Sequence, residues 1–208
     1  MLGTGVVAAD GTWSVTPTTA FTTDGLKNLQ ISATDPAGNE SAKTIVPVVI
    51  DTQAPSAPAA DVAASSDTGS SNTDNITSDN TPTITGGGAT PGDTITLNGP
   101  NGTSLGTAVV AADGTWAITP LLPLADGTQN LSVTATDPSG NVSPATLVPV
   151  TIDTGIDNPT GGLASASDTG TVGDNKTNDT TPALSGVAEL GAAVEVTING
   201  VVYTTTAD

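Results

Sequence analysis

The chain repeats itself. Leu2-Gly3-Thr4-Gly5-Val6-Val7-Ala8-Ala9-Asp10-Gly11-Thr12-Trp13 returns almost unchanged as Leu105-Gly106-Thr107-Ala108-Val109-Val110-Ala111-Ala112-Asp113-Gly114-Thr115-Trp116. Ala33-Thr34-Asp35-Pro36-Ala37-Gly38-Asn39 returns as Ala135-Thr136-Asp137-Pro138-Ser139-Gly140-Asn141, and Val46-Pro47-Val48-Val49-Ile50-Asp51-Thr52 as Val148-Pro149-Val150-Thr151-Ile152-Asp153-Thr154. Further on, Ser66-Asp67-Thr68-Gly69 becomes Ser167-Asp168-Thr169-Gly170, and Thr81-Pro82 becomes Thr181-Pro182. The offset runs from 103 residues (Leu2 to Leu105) to 100 (Thr81 to Thr181). Self-similarity at a fixed period marks a tandem architecture. One complete unit therefore runs 53–154, residues 1–52 are the C-terminal half of a preceding unit, and 155–208 the N-terminal half of a following one. Both ends cut through a repeat, so the chain is expected to be a window on a longer array.

Within 53–154 the apolar period is two. Thr94-Ile95-Thr96-Leu97 and Leu131-Ser132-Val133-Thr134-Ala135 alternate, Trp116 and Ile118 share a face, and so do Val148, Val150 and Ile152. Turn signals recur between them: Asn98-Gly99, Asn101-Gly102, Asp113-Gly114, Asp126-Gly127 and Asp137-Pro138-Ser139-Gly140. Asn-Gly and Asp-Gly suit primed hairpin turns, whose central residues both need positive φ. Seven strands are predicted, near 58–65, 81–86, 93–98, 104–110, 115–119, 128–136 and 142–152. About seven short strands in about 100 residues is the pattern of an immunoglobulin-like β-sandwich. The predicted fold class is thus all-β, a series of such sandwiches stacked end to end. Pro149 places the last strand at an edge or a bulge. The phase of the alternation predicts burial of Trp116, Ile118, Leu131, Val133, Val148, Val150 and Ile152. In the first half-unit it predicts burial of Trp13, Val15, Leu29, Ile31, Val46, Val48 and Ile50. An odd number of strands carries the chain from one pole of the sandwich to the other. The loop 66–80 then lies at the C-terminal pole with Asp153, and the turn 137–141 at the N-terminal pole with Asp51. The two half-units should expose apolar faces and open strand edges, and pair head to tail between chains.

Composition removes most chemistries. There is no His, and there are no cysteines, so no Ser-His-Asp triad, thiol nucleophile or ordinary zinc site is available. Three basic residues against 21 acidic ones give a net charge of −18, which leaves no basic surface for nucleic acid. No apolar run approaches the ~18 residues of a membrane span. No Lys or Arg precedes Lys27, so a basic leader is missing from the start of this sequence.

The acids are unevenly placed. Residues 53–154 contain Asp61, Asp67, Asp74, Asp79, Asp93, Asp113, Asp126, Asp137 and Asp153, but no Glu, Lys or Arg. Asp93, Asp113 and Asp126 read as turn formers, whose carboxylates bond their own backbone. Loop 66–80 gathers Asp67, Asp74 and Asp79 among Asn72, Asn75 and Asn80, with Asp153 expected at the same pole, and the next unit repeats the set as Asp168, Asp174 and Asp179. Such hard oxygen donors suit calcium, which takes about six to eight of them. A solvated loop of good turn residues explains the same composition.

The run from Asp67 to Pro82 resembles the opening of bacterial immunoglobulin-like repeats. So do Ala111-Ala112-Asp113-Gly114-Thr115-Trp116, Ala135-Thr136-Asp137-Pro138-Ser139-Gly140-Asn141 and Ile152-Asp153-Thr154. The resemblance spans essentially the whole sequence. It implies an extracellular stalk of a giant bacterial surface adhesin, commonly exported by type I secretion, with calcium held by Asp at domain junctions. On that footing Asp67, Asp74, Asp79 and Asp153, with Glu189 from the next repeat, are the expected ligands of one junction. Asp51, Asp137 and Asn141 are those of the junction before it. The implied partners are neighbouring repeats of the same chain, with any host or surface ligand bound by other domains. The alternative is a module that itself recognises carbohydrate or protein. That reading calls for clustered exposed aromatics, and the sequence has only Trp13, Phe21, Trp116 and Tyr203. Paired carboxylates can hydrolyse glycosides, but these acids recur in turns of each unit without a substrate-stacking wall, so no enzyme is expected.

Overall fold

The computed structural model describes residues 2–208. The chain forms two compact units, one ending at Ile152 and the other Asp153–Asp208. Among the described residues every regular element is a β-strand, and no helix is long and apolar enough to cross a membrane.

The first unit begins with an antiparallel pair, β1 (Gly25–Ile31) and β2 (Thr44–Ile50). Residues 53–152 then contribute β3 (Asp61–Val62), β4 (Ile76–Thr77), β5 (Ile84–Gly86), β6 (Thr94–Asn98), β7 (Ser104–Val109), β8 (Trp116–Ile118), β9 (Gly127–Thr136) and β10 (Thr146–Ile152). They form a three-stranded sheet β3-β5-β8 and a five-stranded sheet β4-β10-β9-β6-β7. Alternation explains the packing. Val62, Ile84, Trp116 and Ile118 from one sheet meet Ile95, Leu97, Leu131, Val133, Ala135, Val148, Val150 and Ile152 from the other in a single buried core. The Trp116 ring lies over Gly86 on the neighbouring strand. A Cβ at Gly86 would stand 2.5 and 2.6 Å from Cζ2 and Cε2 of that ring and would also run into the Ala59 carbonyl oxygen.

Three expectations need correction. Residues 53–152 have eight strands, not seven. The extra one, β4, lies inside the loop 66–80 and pairs parallel with β10, Ile76 beside Thr151 and Thr77 beside Ile152. Two residues carry no periodicity, so alternation could not reveal it. Because β4 covers only Thr151 and Ile152, Pro149 sits beyond it, where a missing N–H removes no ladder bond.

Second, Trp13, Val15 and Val46 are exposed (52%, 38% and 37%), and Leu29, Ile31, Val48 and Ile50 are only half-buried. The phase of the alternation holds, but a sheet face is buried only by another layer. Within 53–152 the sheet β3-β5-β8 supplies that layer, whereas β1 and β2 pair only with each other.

Third, the Asp-Gly turns are not primed. Among described residues other than glycine, positive φ is confined to Asn75, Asn175 and Asn199. At Asp113-Gly114 the glycine alone is left-handed (φ 82°), and the turn closes by the Gly114 N–H donating to Ala111 O.

The second unit has two antiparallel pairs: β11 (Thr160–Leu163) with β12 (Leu184–Val187), and β13 (Ala193–Ile198) with β14 (Val201–Thr206). Asn199 and Gly200 join β13 to β14 with φ of 49° and 81°, the conformation of a type I′ hairpin.

Candidate functional site

The turn 137–141 joins β9 to β10 and is built around one carboxylate. Asp137 Oδ1 accepts the backbone N–H of Ser139 and of Asn141, both at 2.9 Å, and Oδ2 accepts the Asn141 side-chain amide at 2.8 Å. These bonds, the Asn141 side chain foremost, hold the Asp137 carboxyl below its ordinary pKa. Asp35 and Asn39 repeat the arrangement in the first half-unit. The same turn grips the preceding strand's end: Asn141 Nδ2 donates to the Asp51 carbonyl (3.1 Å) and Ser139 Oγ to Asp51 Oδ2 (3.2 Å). Asp51, Asp137 and Asn141, all half-buried, are therefore brought together.

Asp93 is the residue the sequence misplaced. Asp93 reads as a turn former whose carboxylate bonds its own backbone, yet it is 2% exposed and its Oδ2 is buried with no hydrogen-bond partner. Thr94 pairs with Thr136 across β6 and β9, so Asp93 stands one step further on, opposite Asp137. Like charges directly opposed across a ladder repel. Burial first, then the Asp137 charge, push the Asp93 pKa upward.

The loop 66–80 is organised differently. Asp74 Oδ1 accepts the Ile76 N–H, and Asp79 Oδ1 accepts the Thr81 N–H and hydroxyl. Thr77, buried beneath them, donates to Ser66 O and accepts from the N–H of Thr68 and Asp79. Asp67 is buried; its Oδ2 accepts the Asn75 N–H while its Oδ1 has no partner. The second unit copies this. Asp168 Oδ2 accepts the Gly173 N–H and Oδ1 is again buried and unpartnered. Asp174 caps Lys176 N–H and pairs with its ammonium at 3.8 Å, and Asp179 accepts from Thr181 and Ser167. Asp153 and Glu189 are exposed. The parallel pairing of β4 with β10 puts the loop at the end of the sandwich where β10 finishes. Among the described residues no three His, Cys, Asp or Glu side chains converge so as to hold a metal ion. A shallow cleft between β7 and β8 is lined by Ser104, Thr107, Ile118, Thr119 and Leu121, with no aromatic ring.

Two antiparallel-rich sheets packed face to face over one core, with loops at both poles, define an immunoglobulin-like sandwich. The bacterial Ig-like domain family matches residues 2–52, 54–154 and 155–208, and the chain belongs to that family. No curated protein matches it. Among solved structures, similar chains include the BSP domain of a biofilm-associated protein (24% identity, 74% of this chain, 23% of that one, TM-score 0.35). A tetra-tandem repeat from the extending region of a large adhesion protein is similar at 24% identity, over 97% of this chain and 50% of that one, TM-score 0.36. So is a Ca2+-stabilized adhesin of an Antarctic bacterium (24%, 96% and 50%, TM-score 0.36). The chain spans half or less of the length of each of these three.

Proposed function

We propose that the chain is a stalk segment of an adhesin on the outer surface of a bacterium, and that calcium bound at inter-repeat junctions fixes the angle between successive repeats. The observation that carries this is the grip of Ser139 and Asn141 on Asp51. It joins the last strand of one repeat to a turn of the next through oxygen-rich groups. The oxygens gathered here, the carboxylate and carbonyl of Asp51 and the carboxylate of Asp137, are of the hard kind that calcium takes, and the neighbouring Asp93 has a buried carboxylate oxygen with nothing bonded to it. Asp153 repeats Asp51 in the sequence, so the next junction draws on Asp153, with Glu189 from the following repeat. Of the loop acids, Asp67 and Asp168 each keep a buried unpartnered oxygen, and Asp74, Asp79, Asp174 and Asp179 accept turn bonds as Asp137 does. A ligand set shared by two repeats binds the ion in one relative orientation, so binding shifts a hinged population toward that orientation. No catalytic step belongs to this reading. The acidic surface keeps an array soluble, and adhesion itself falls to domains elsewhere.

The test is small-angle scattering of a polypeptide with two or more whole repeats, in calcium and in chelator. Maximum dimension should fall and flexibility rise on chelation. Superimposable profiles, with no calcium detected by calorimetry at roughly millimolar ion, would leave these Asp as turn residues.

A further inference from the structure

We propose that Asn199-Gly200 is a modification site, where the Asn199 side chain deamidates by attack of its own backbone and then of water, while the fold protects the other Asn-Gly steps of the chain.

The reaction needs no enzyme, oxidant or reductant. The Gly200 backbone nitrogen gives up its proton and bonds to Asn199 Cγ. The bond from Cγ to the side-chain nitrogen breaks, and that nitrogen leaves as ammonia. Water then opens the resulting cyclic imide at either carbonyl. One opening gives aspartate, and the other gives isoaspartate, in which the main chain runs through the former side chain. Glycine suits the step because no Cβ crowds the attacking nitrogen.

The Asn-Gly steps of this chain are Asn98-Gly99, Asn101-Gly102 and Asn199-Gly200, and the structure separates them. Gly99 is buried, and its N–H donates to Thr103 O at 2.9 Å. Gly102 N–H donates to Gly99 O at 2.9 Å, and Asn101 Oδ1 accepts the Thr103 N–H at 3.1 Å. A nitrogen or carboxamide held in this way reacts only after its turn opens. Asn199 and Gly200 are both exposed. Among the described residues neither the Gly200 N–H nor the Asn199 side chain has a hydrogen bond, and a Cβ at Gly200 would find nothing within 4 Å. The step lies at the tip of the pair β13-β14, which bonds to no other strand. A lone two-stranded hairpin is marginally stable, so leaving the left-handed φ of 49° at Asn199 for the geometry of attack costs little.

Both products add a carboxylate. Isoaspartate also lengthens the main chain of a loop that joins Ile198 to Val201 through only Asn199 and Gly200. A type I′ turn has no room for the extra atom, so the β13-β14 ladder loosens from its tip.

The experiment ages the 208-residue chain in mildly alkaline buffer, native and in denaturing urea, and follows each Asn-Gly step by peptide mass. In urea the three steps should convert at similar rates. In the native chain Asn199 should stay within a few-fold of its urea rate. Asn98 and Asn101 should slow by roughly tenfold or more, the factor that one or two backbone hydrogen bonds impose on local opening. Hydrogen exchange of the aged chain should show lost protection in β13 and β14. Native Asn199 slowed as much as the other two would overturn the proposal, as would all three steps keeping their urea rates, since the fold would then select none of them.

Discussion

Gly86 and Gly87 are adjacent, and opposite outcomes are expected when each becomes alanine. At Gly86 a Cβ meets the Ala59 carbonyl oxygen on one side and the Trp116 ring at 2.5 and 2.6 Å on the other. The oxygen is backbone and cannot rotate away, and Trp116 is wedged in the core at 5% exposure. Overpacking of this kind costs about 1–3 kcal/mol, and with a backbone atom in the way the upper end applies. For a domain of roughly 100 residues each kcal/mol shifts the melting temperature by about 4–8 °C, so Gly86→Ala should lower it by roughly 10–20 °C. At Gly87 nothing lies within 4 Å and φ is outside the left-handed region. Gly87→Ala should therefore be neutral or gain about 0.4–1 kcal/mol, since alanine restricts the unfolded chain. Tryptophan fluorescence follows the transition, because Trp116 moves from core to water while Trp13 is already half exposed. Equal melting of the two variants would refute the close approach of Trp116 to β5.

Thr77→Val should cost about 1–3 kcal/mol, since it strands the Ser66 carbonyl and the N–H of Thr68 and Asp79; urea unfolding should show that loss, and Thr77→Ser should recover it. Asp10, Asp35 and Asp113 carry lowered pKa values, chiefly through bonds from the Thr12, Asn39 and Thr115 side chains. A folded pKa below the unfolded one gives stability that is present above the ordinary value of about 3.9 and is lost as pH falls through the folded value. Acid melting curves should therefore fall below about pH 4, less steeply for Asp113→Asn. Asp93 has the opposite sign, its raised pKa stabilising the fold as acid protonates it. Sedimentation of the 208-residue chain should show self-association, driven by Val6, Val46, Val49, Val187 and Tyr203 on exposed surface; a strictly monomeric chain at high concentration would contradict it.

The long alternating runs were legible from the sequence. They put Leu131, Val133, Val148, Val150 and Ile152 on the core face, because a period of two leaves no choice of face once one residue is fixed. The proximity of Asp51 to Asn141 followed from counting strand crossings, and that count stays odd because β4, two residues long, does not cross the sandwich. What escaped was set by tertiary contact. β4 exists because Asn75 O accepts the Thr151 N–H across 76 residues, and Ile76-Thr77 has no local pattern to announce it. Asp93 looked like a turn residue, and its backbone does make a turn. Its burial comes from neighbours in β7 and β9 that the dipeptide cannot encode. Trp13 failed for the complementary reason: its sequence matches Trp116, but burial belongs to the opposing sheet.

The parallel pairing of β4 with β10 bears on how a repeat responds to tension. A pull applied through the backbone reaches β4 from its N-terminal side and β10 from its C-terminal side. Parallel neighbours drawn apart in that way are loaded along their length, so the bonds around Ile76–Thr151 and Thr77–Ile152 must yield together in shear rather than open one at a time. The Thr77 hydroxyl, itself buried, donates to Ser66 O and so ties β4 to the chain behind it. Single-molecule extension should thus show a lower unfolding force for Thr77→Val than for the parent chain. An unchanged force would mean that another pair of strands carries the load.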